Sequence, residues 1–392
     1  MKKEIKTVII PDGTTIVEKG MVPRWTNFVS IPKGVTEIGD HAFFKRSTLR
    51  HIVIPEGVTK IGESAFEGCR ALEYIVIPKG VTSIGESAFA GCESLRSILI
   101  PEGVTKISEY TFCGCGLLRS VIIPKGVTEI CESAFRCCYS LRSILIPEGV
   151  TKIGRGAFGH CWELESIIIP DGVSIDNAFC GCPFEEIPKG LTKFEEHMFE
   201  DCINLTEVVI PDGTTTIFSF AFVSCKKLTN VIIPDGVKSI LDYAFAHCTN
   251  LKSITIPTSV KYIGDGVFSE CSNLSRVIIP DGVKSINDYA FAHCTNLKSI
   301  TIPTSVKSIG ALSFMNCSNL SNIIIPNGVE EIDEYAFEGC SSINGVITIP
   351  DSVKYVGGRA FSGCKNLEGI IIPSHLSKYV STAFPRSITK IK

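Results

Sequence analysis

Residues 72–94 read LEYIVIPKGVTSIGESAFAGCES, and versions of this unit of about 23 residues fill the chain. Its Ile-Pro pair marks the period. Prolines of this kind form one run at Pro32, Pro55, Pro78, Pro101, Pro124, Pro147 and Pro170, and a second run from Pro188 to Pro373. A period in the twenties is typical of a solenoid in which each repeat forms one coil. Function is therefore expected on exposed faces of the stack and not in a buried pocket.

The irregular intervals predict how the array is divided. Pro170 and Pro188 lie only 18 residues apart, and this shortened repeat predicts a junction at 171–187 within one solenoid domain covering 1–392. The subarray 1–170 holds an N-terminal cap and repeats with alternating charge, whereas 188–392 holds duplicated repeats. An extra residue between Ile343 and Pro350 predicts a β-bulge.

Each stretch of the unit has its own local preference. Residues 72–77 alternate at period two and are rich in β-branched side chains, which predicts a short strand. Pro78 removes a backbone donor and ends that strand. Residues 81–84 predict a second, shorter strand, and the helical spacing around 88–92 predicts one turn of helix. The fold class is therefore an α/β repeat solenoid.

Composition and charge exclude two classes of partner. The 392 residues include 38 basic and 41 acidic ones, for a net charge of -3, so no basic footprint for nucleic acid is present. No apolar run reaches membrane-spanning length, and the first residues do not resemble a signal peptide. We expect a cytoplasmic location for the chain as it stands, and the cell surface or secretion if a signal has been removed.

Most of the eighteen cysteines occupy one repeat position, three residues after a phenylalanine. These are Cys69, Cys92, Cys115, Cys138, Cys161, Cys182, Cys202, Cys225, Cys248, Cys271, Cys294, Cys317, Cys340 and Cys364. Stacked coils align their side chains in parallel, which is poor geometry for disulfides. We interpret them as small buried apolar residues with weak S–H donors. A local disulfide or adventitious metal site is the alternative for the extra cysteines Cys113, Cys137 and Cys180.

No signature of catalysis occurs in the sequence. It contains no phosphate loop, nucleophile elbow, metalloprotease helix or paired zinc-ligand spacing. His247-Cys248 and His293-Cys294 look like ligand pairs, but they are copies of one repeat position two coils apart, about 10 Å by the strand spacing. We therefore predict no enzymatic activity, no cofactor and no resident metal.

Two rows of charge accompany the N-terminal repeats. The residue after each proline alternates in sign at Lys33, Glu56, Lys79, Glu102, Lys125 and Glu148. The residue two after each valine runs in the opposite phase at Glu37, Lys60, Ser83, Lys106, Glu129 and Lys152. In stacked coils such rows place opposite charges side by side, each contact contributing about 0.2–1 kcal/mol. We interpret them as markers of register between coils.

The full pattern Leu-x-x-Ile-x-Ile-Pro-x-Gly-Val-x-x-Ile-Gly-x-x-Ala-Phe-x-x-Cys resembles the BspA-like leucine-rich repeats of bacterial surface proteins and some parasitic protists. The resemblance covers essentially residues 1–392. It implies a right-handed leucine-rich-repeat array with a parallel β-sheet on the concave face and short second strands and helical turns on the other sides. It also implies roles in adhesion and in binding host proteins.

The strand surface is the best candidate for a binding site. With Leu, Ile and Ile pointing inward, the second and fourth residues after Leu face outward. The fourth position carries an aliphatic stripe, and an arginine column runs beside it. The candidate partner-binding residues are Tyr74, Val76, Arg96, Leu99, Arg119, Ile122, Arg142, Leu145 and Ile168. The alternative is that β-branched residues only favour strand formation and that flanking side chains cover the stripe.

The favoured function is a non-enzymatic protein-binding module that uses this strand face, similar to a surface adhesin. The alternative is an intracellular scaffold or a self-associating repeat protein in which exposed end coils pair end to end. In both cases the partner is a protein.

Overall fold

The computed structural model describes residues 6–191, 194–386 and 388–391. The chain divides into two compact units, of which unit 1 comprises Met1–Phe184 and Pro188–Leu191 and unit 2 comprises Glu185–Ile187 and Thr192–Lys392. Each unit is a β-solenoid of parallel strands. Each coil contains a longer strand, here called a main strand, and then a short strand, and it closes through turns. The junction at 171–187, which the sequence predicts to join two subarrays in a single solenoid, stays a prediction.

The main strands coincide with the predicted alternating stretch of each repeat. In unit 1 they are Thr7–Ile9, Phe28–Ser30, His51–Val53, Tyr74–Val76, Ser97–Leu99, Ser120–Ile122, Ser143–Leu145 and Ser166–Ile168. In unit 2 they are Glu207–Val209, Asn230–Ile232, Ser253–Thr255, Arg276–Ile278, Gly345–Thr348, Leu367–Ile371 and Thr389–Ile391. Isolated bridges join Ile278 to Thr301 and Ser299 to Asn322 in the coils between them.

The short strands form a second parallel ladder where the sequence predicts them. In unit 1 they are Ile16–Val17, Glu37–Ile38, Lys60–Ile61, Ser83–Ile84, Lys106–Ile107, Glu129–Ile130, Lys152–Ile153 and Ser174–Ile175. In unit 2 they are Thr216–Ile217, Ser239–Ile240, Tyr262–Ile263, Ser285–Ile286, Ser308–Ile309, Glu331–Ile332 and Tyr355–Val356. Pairing joins equivalent residues of successive coils, as between Lys106 and Glu129. Equivalent positions of successive repeats therefore lie next to each other and form columns along the solenoid.

The predicted turn of helix is replaced by a run of hydrogen-bonded turns that reach the next coil. Ser64 N donates to Glu86 O at 2.8 Å and Gly68 N to Ala90 O at 2.7 Å. Both donors have a positive φ, 50° at Ser64 and 71° at Gly68. Left-handed residues at these two positions interrupt helical geometry, and their N–H groups bond to the neighbouring coil instead. These bonds take the place of the i to i−4 bonds that a helix requires.

A column of phenylalanines fills the centre of each unit. The rings of Phe43 and Phe66 stack with centroids 4.8 Å apart, and those of Phe66 and Phe89 stack at 5.3 Å. In unit 2, Phe222 and Phe245 stack at 5.4 Å. All of these rings are fully buried. One coil therefore completes the core of the next, which explains why the repeat has to occur as an array.

The cysteine column lies beside the phenylalanines and confirms the predicted buried role. Cys69 Sγ donates to Phe43 O at 3.1 Å and Cys92 Sγ to Phe66 O at 3.3 Å, and this bond recurs along both units. Burial raises the pKa of Cys69 to about 12, so its thiol keeps the proton that it donates. Cys69, Cys92, Cys225 and Cys248 are free thiols.

Ion pairs join the coils of unit 1 along one of the predicted charge rows. Lys60 Nζ lies 2.8 Å from Glu37 Oε1, and Glu129 lies between Lys106 at 3.7 Å and Lys152 at 3.2 Å. The hydrogen bond from Lys152 lowers the pKa of Glu129. This row is therefore a column of opposite charges. Within the described part of the chain, the row that starts at Lys33 forms no ion pairs.

Unit 2 uses different side chains between its coils. Asn273 Nδ2 donates to Asn250 Oδ1 at 3.3 Å, and Asn296 Nδ2 donates to Asn273 Oδ1 at 3.0 Å. In a separate column of unit 2, Asp265 lies between two other aspartates. Its partial burial and the negative charges of Asp242 and Asp288 raise the pKa of Asp265.

The C-terminal coils of unit 2 are the least regular. The pairing register shifts between Gly345 and Val346, where the sequence predicts a bulge. A 3-10 helix at Ser374–Tyr379 and a single α-helical turn at Val380–Ala383 precede the strand Thr389–Ile391. No helix in the described residues is long and apolar enough to cross a membrane.

Candidate interaction surface

An aliphatic row runs along the outward face of the main strands in unit 1. Inward and outward positions differ sharply, since Ile98 is 5% exposed and the adjacent Leu99 is 63% exposed. The row comprises five side chains that are 62–70% exposed, namely Val76, Leu99, Ile122, Leu145 and Ile168. Flanking side chains therefore do not cover it. We call these five residues the aliphatic row.

The neighbouring outward position changes character along unit 1. Phe28, His51 and Tyr74 stack in the first coils, with ring centroids 6.1 and 6.2 Å apart. The following coils have serine there, and we call Ser97, Ser120, Ser143 and Ser166 the serine row. These four side chains are exposed but small. Along the serine row the sheet surface is therefore lower than along the aliphatic row.

Arginines border the serine row on the side away from the aliphatic row. Arg96, Arg119 and Arg142 occupy equivalent exposed positions, and Arg119 N donates to Arg96 O at 2.9 Å. Arg142 Nε lies 3.0 Å from Glu163 Oε2, and this contact raises the pKa of Arg142. Among the residues that the structure describes, no carboxylate pairs with Arg96 or Arg119. The guanidinium groups of Arg96 and Arg119 thus form no ion pair within those residues.

The equivalent outward row in unit 2 is interrupted. Ile232, Ile278 and Ile324 are exposed like their counterparts, but threonines separate them at Thr255 and Thr301. No arginine column accompanies them. Lysines occupy the corresponding positions 252 and 298, and the equivalent positions of the neighbouring coils are serine or threonine. All nine residues proposed from the sequence lie in unit 1, on neighbouring coils of one exposed face.

Sequence analysis missed an exposed aromatic pair at the edge of this face. The rings of Tyr139 and Trp162 stack with centroids 4.3 Å apart and are 38 and 59% exposed. Tyr139 lies flat over Gly116, where a Cβ would be only 3.3 Å from the ring. The available signal was the occurrence of two aromatic residues directly after Cys138 and Cys161, a position that is otherwise polar or small in unit 1.

The surface offers little that could hold a metal. No group of three or more His, Cys, Asp and Glu side chains in the described ranges is placed to bind one. The extra cysteines Cys113 and Cys137 lie half-buried in adjacent coils as free thiols. Burial is the main reason that the pKa of Cys113 is raised. The exposed chemistry of this face is therefore hydrocarbon, hydroxyl and guanidinium.

Comparisons with known proteins agree with this repeat architecture. The family described as "BspA type Leucine rich repeat region (6 copies)" matches residues 22–117, 61–183, 175–298 and 261–392. A leucine-rich repeat protein of Bacteroides ovatus is 31% identical, with 88% of this chain and 92% of that one covered and a TM-score of 0.71. A comparison with curated proteins found no match.

Two further solved structures are similar. A leucine-rich cell surface protein of Faecalibacterium prausnitzii is 29% identical, covering 75% of this chain and 91% of that one with a TM-score of 0.52. The pneumococcal vaccine antigen PcpA shares the fold at 19% identity, with 99% and 89% coverage and a TM-score of 0.53. Since the family pattern extends over most of its length, the chain belongs to the BspA-type leucine-rich repeat family.

Proposed function

We propose that the chain is a non-enzymatic protein-binding module whose partner covers the aliphatic row and the adjoining arginines of unit 1. The observation that carries this proposal is the contiguous row of five aliphatic side chains at 62–70% exposure. Contiguous exposed hydrocarbon of this kind is typical of interaction sites on soluble proteins. Relatedness to surface leucine-rich repeat proteins supports an interaction role.

The free energies of burial and of association show which further contacts such a partner has to make. Full burial of an aliphatic side chain is worth roughly 1.5–3 kcal/mol, so covering the remaining surface of five side chains gives about 5–10 kcal/mol. Association itself costs about 4–15 kcal/mol. The free energy gained from hydrocarbon contact alone is therefore about equal to the cost of association. Polar contacts to the arginines and serines are needed for a stable and specific complex.

The repeat architecture favours binding over catalysis. Each coil presents the same residue types at the same positions, whereas an active site requires a unique set of different groups in a fixed geometry. Arrays of this family are typically non-enzymatic. The similar protein of Faecalibacterium prausnitzii is described as a cell surface protein, and we extend that setting to this chain as a surface, adhesin-like protein.

A capture experiment tests the proposal. The variant Leu99→Asp/Ile122→Asp/Leu145→Asp places charges on the row without altering the inward side chains. Its matched control, Ile232→Asp/Ile278→Asp/Ile324→Asp, makes the same change on the exposed row of unit 2. Immobilised wild-type and variant proteins are incubated with host-cell and bacterial extracts, and retained proteins are quantified by mass spectrometry.

We expect a protein that the wild type and the unit 2 variant retain and the unit 1 variant loses. Circular dichroism and thermal unfolding establish that both variants keep the wild-type fold. Equal retention by all three proteins would show that the aliphatic row takes no part in binding. Loss in the unit 2 variant alone would move the site to the other unit.

A further inference from the structure

We propose that the partner segment on the aliphatic row is an amphipathic α-helix with one acidic edge, lying along the stack of coils in unit 1. This inference rests on the proposed function and specifies the class of partner. Three properties of the surface carry it, namely the spacing between successive coils, the distance between its two borders and the two arginines, Arg96 and Arg119, that form no ion pair within the described residues.

The spacing between coils distinguishes a helix from an extended chain. Successive members of the aliphatic row are separated by the distance between neighbouring strands, about 4.8 Å, so four coils from Leu99 to Ile168 span about 14 Å. Three turns of an α-helix span about 16 Å. The same number of side-chain repeats along one face of a β-strand spans about 20 Å. A helix therefore stays in register over four coils, whereas an extended chain is out of step by more than one coil.

The distance across the face also matches a helix. Arg96 directly precedes the main strand Ser97–Leu99 and lies three residues from Leu99, which at about 3.3 Å per residue separates the arginine column from the aliphatic row by up to about 10 Å. A helix with its side chains is about 10–12 Å wide. The serine row lies between these two borders and is formed by the smallest side chains of the face. A helix can thus rest on the serines with its apolar side against the aliphatic row.

Charge determines which helix fits. Arg96 and Arg119 are adjacent like charges, and within the described residues neither has a carboxylate partner, whereas Arg142 is paired with Glu163. Like charges in directly neighbouring positions of a sheet are destabilising. Carboxylates at i, i+4 and i+7 of a helix lie along one edge and can each face a guanidinium group. The helix is therefore apolar toward Leu99 and Ile122 and acidic toward Arg96 and Arg119.

Three synthetic peptides of equal length test this inference by fluorescence anisotropy. The first is a Leu/Glu/Ala helix with leucines on one face and glutamates along one edge. The second replaces the glutamates with lysines, and the third has the composition of the first but alternates Leu and Glu, which favours an extended chain. They are titrated with the wild type, with Leu99→Asp/Ile122→Asp/Leu145→Asp and with Arg96→Glu/Arg119→Glu, whose substitutions are all at exposed positions.

We expect the acidic-edge helix to bind the wild type at least about tenfold more tightly than either other peptide. Arg96→Glu/Arg119→Glu reverses the order of the two helices, so the lysine-edge peptide becomes the tighter ligand. The inference is overturned by equal affinities, by tighter binding of the alternating peptide, by insensitivity to the arginine substitutions or by no binding of any peptide. Partner capture that depends on Leu99, Ile122 and Leu145 is a separate readout, so the proposed function can stand when the helix inference fails.

Discussion

Unit 1 and unit 2 each have the same kind of core but hold their coils together with different surface columns. In unit 1, Glu129 pairs with lysines of both neighbouring coils. In unit 2, an asparagine amide column links the coils through neutral hydrogen bonds, and Asp265 lies between two like charges. The phenylalanine and cysteine columns are the same in both. The buried columns are therefore common to both units, and the surface columns are expected to make the two units respond differently to pH and salt.

The shared core gives the largest expected effect. Phe112→Ala in unit 1 and Phe245→Ala in unit 2 each remove one fully buried ring from a continuous stack. We expect each substitution to lower the free energy of unfolding of its unit by about 3–5 kcal/mol, because a cavity forms between two coils. Hydrogen exchange resolved by residue measures each unit separately. A much smaller loss in one unit would break the comparison, since it would mean that the two cores are not equivalent.

The cysteine column gives an intermediate effect. Cys138→Ala and Cys248→Ala each remove the thiol that donates to a buried phenylalanine carbonyl, at 3.3 Å and 3.2 Å respectively. We expect a loss of about 0.5–1.5 kcal/mol, because one hydrogen bond is removed while each carbonyl keeps the bond from a backbone N–H of its own coil. Serine at the same positions is the matched control, since its hydroxyl can donate to the same oxygen. The alanine variants should unfold at lower urea concentration than the serine variants, and the reverse order would contradict a role for the hydrogen bond.

The partly buried charges of the surface columns give the smallest effects, with opposite signs in the two units. The pKa of Asp265 is raised, so the folded state holds this proton to higher pH than the unfolded chain and stability falls as pH rises through that window. Asp265→Asn should therefore stabilise unit 2 at neutral pH by about 0.2–1 kcal/mol. The gain should vanish as pH is lowered below the unfolded pKa of an aspartate.

Glu129→Gln is the matched substitution in unit 1. The pKa of Glu129 is lowered, so its contribution is present above the unfolded pKa of a glutamate and is lost as pH falls through the lower folded value. This variant should be destabilised at neutral pH, to a smaller extent in high salt. Urea unfolding between acidic and neutral pH measures both proteins. Effects of the same sign would show that the two charge columns do not differ as described.

Much of the fold could be predicted from single repeats. The alternation at Ile75, Val76 and Ile77 determines which side chains point inward, because successive residues of a strand face opposite sides. The exposed aliphatic row followed from the same parity. The buried thiol column followed from the recurrence of Cys three residues after Phe. These features depend on short stretches of chain and recur in each coil of the array.

The candidate surface was predicted only in part. Arg96 and Arg119 were recognised as a column, but the pairing of Arg142 with Glu163 depends on a residue from the next coil. Likewise, Tyr139 and Trp162 are 23 residues apart and meet only because the coils stack in register. Such contacts require the side-chain positions of two coils at once. Local patterns place such residues in one column but do not show which side chains meet.

The sequence by itself determined the period, the parity of each strand and the composition of the core, because all three depend on neighbours along the chain. Only the tertiary structure decided the third side of each coil. There the spacing around Phe66 predicted a helical turn, but Ser64 and Gly68 adopt left-handed conformations and donate to the next coil. Helix formation would have satisfied those N–H groups within one repeat. Stacking satisfies them between repeats, and an isolated 23-residue unit has no neighbour that could do so.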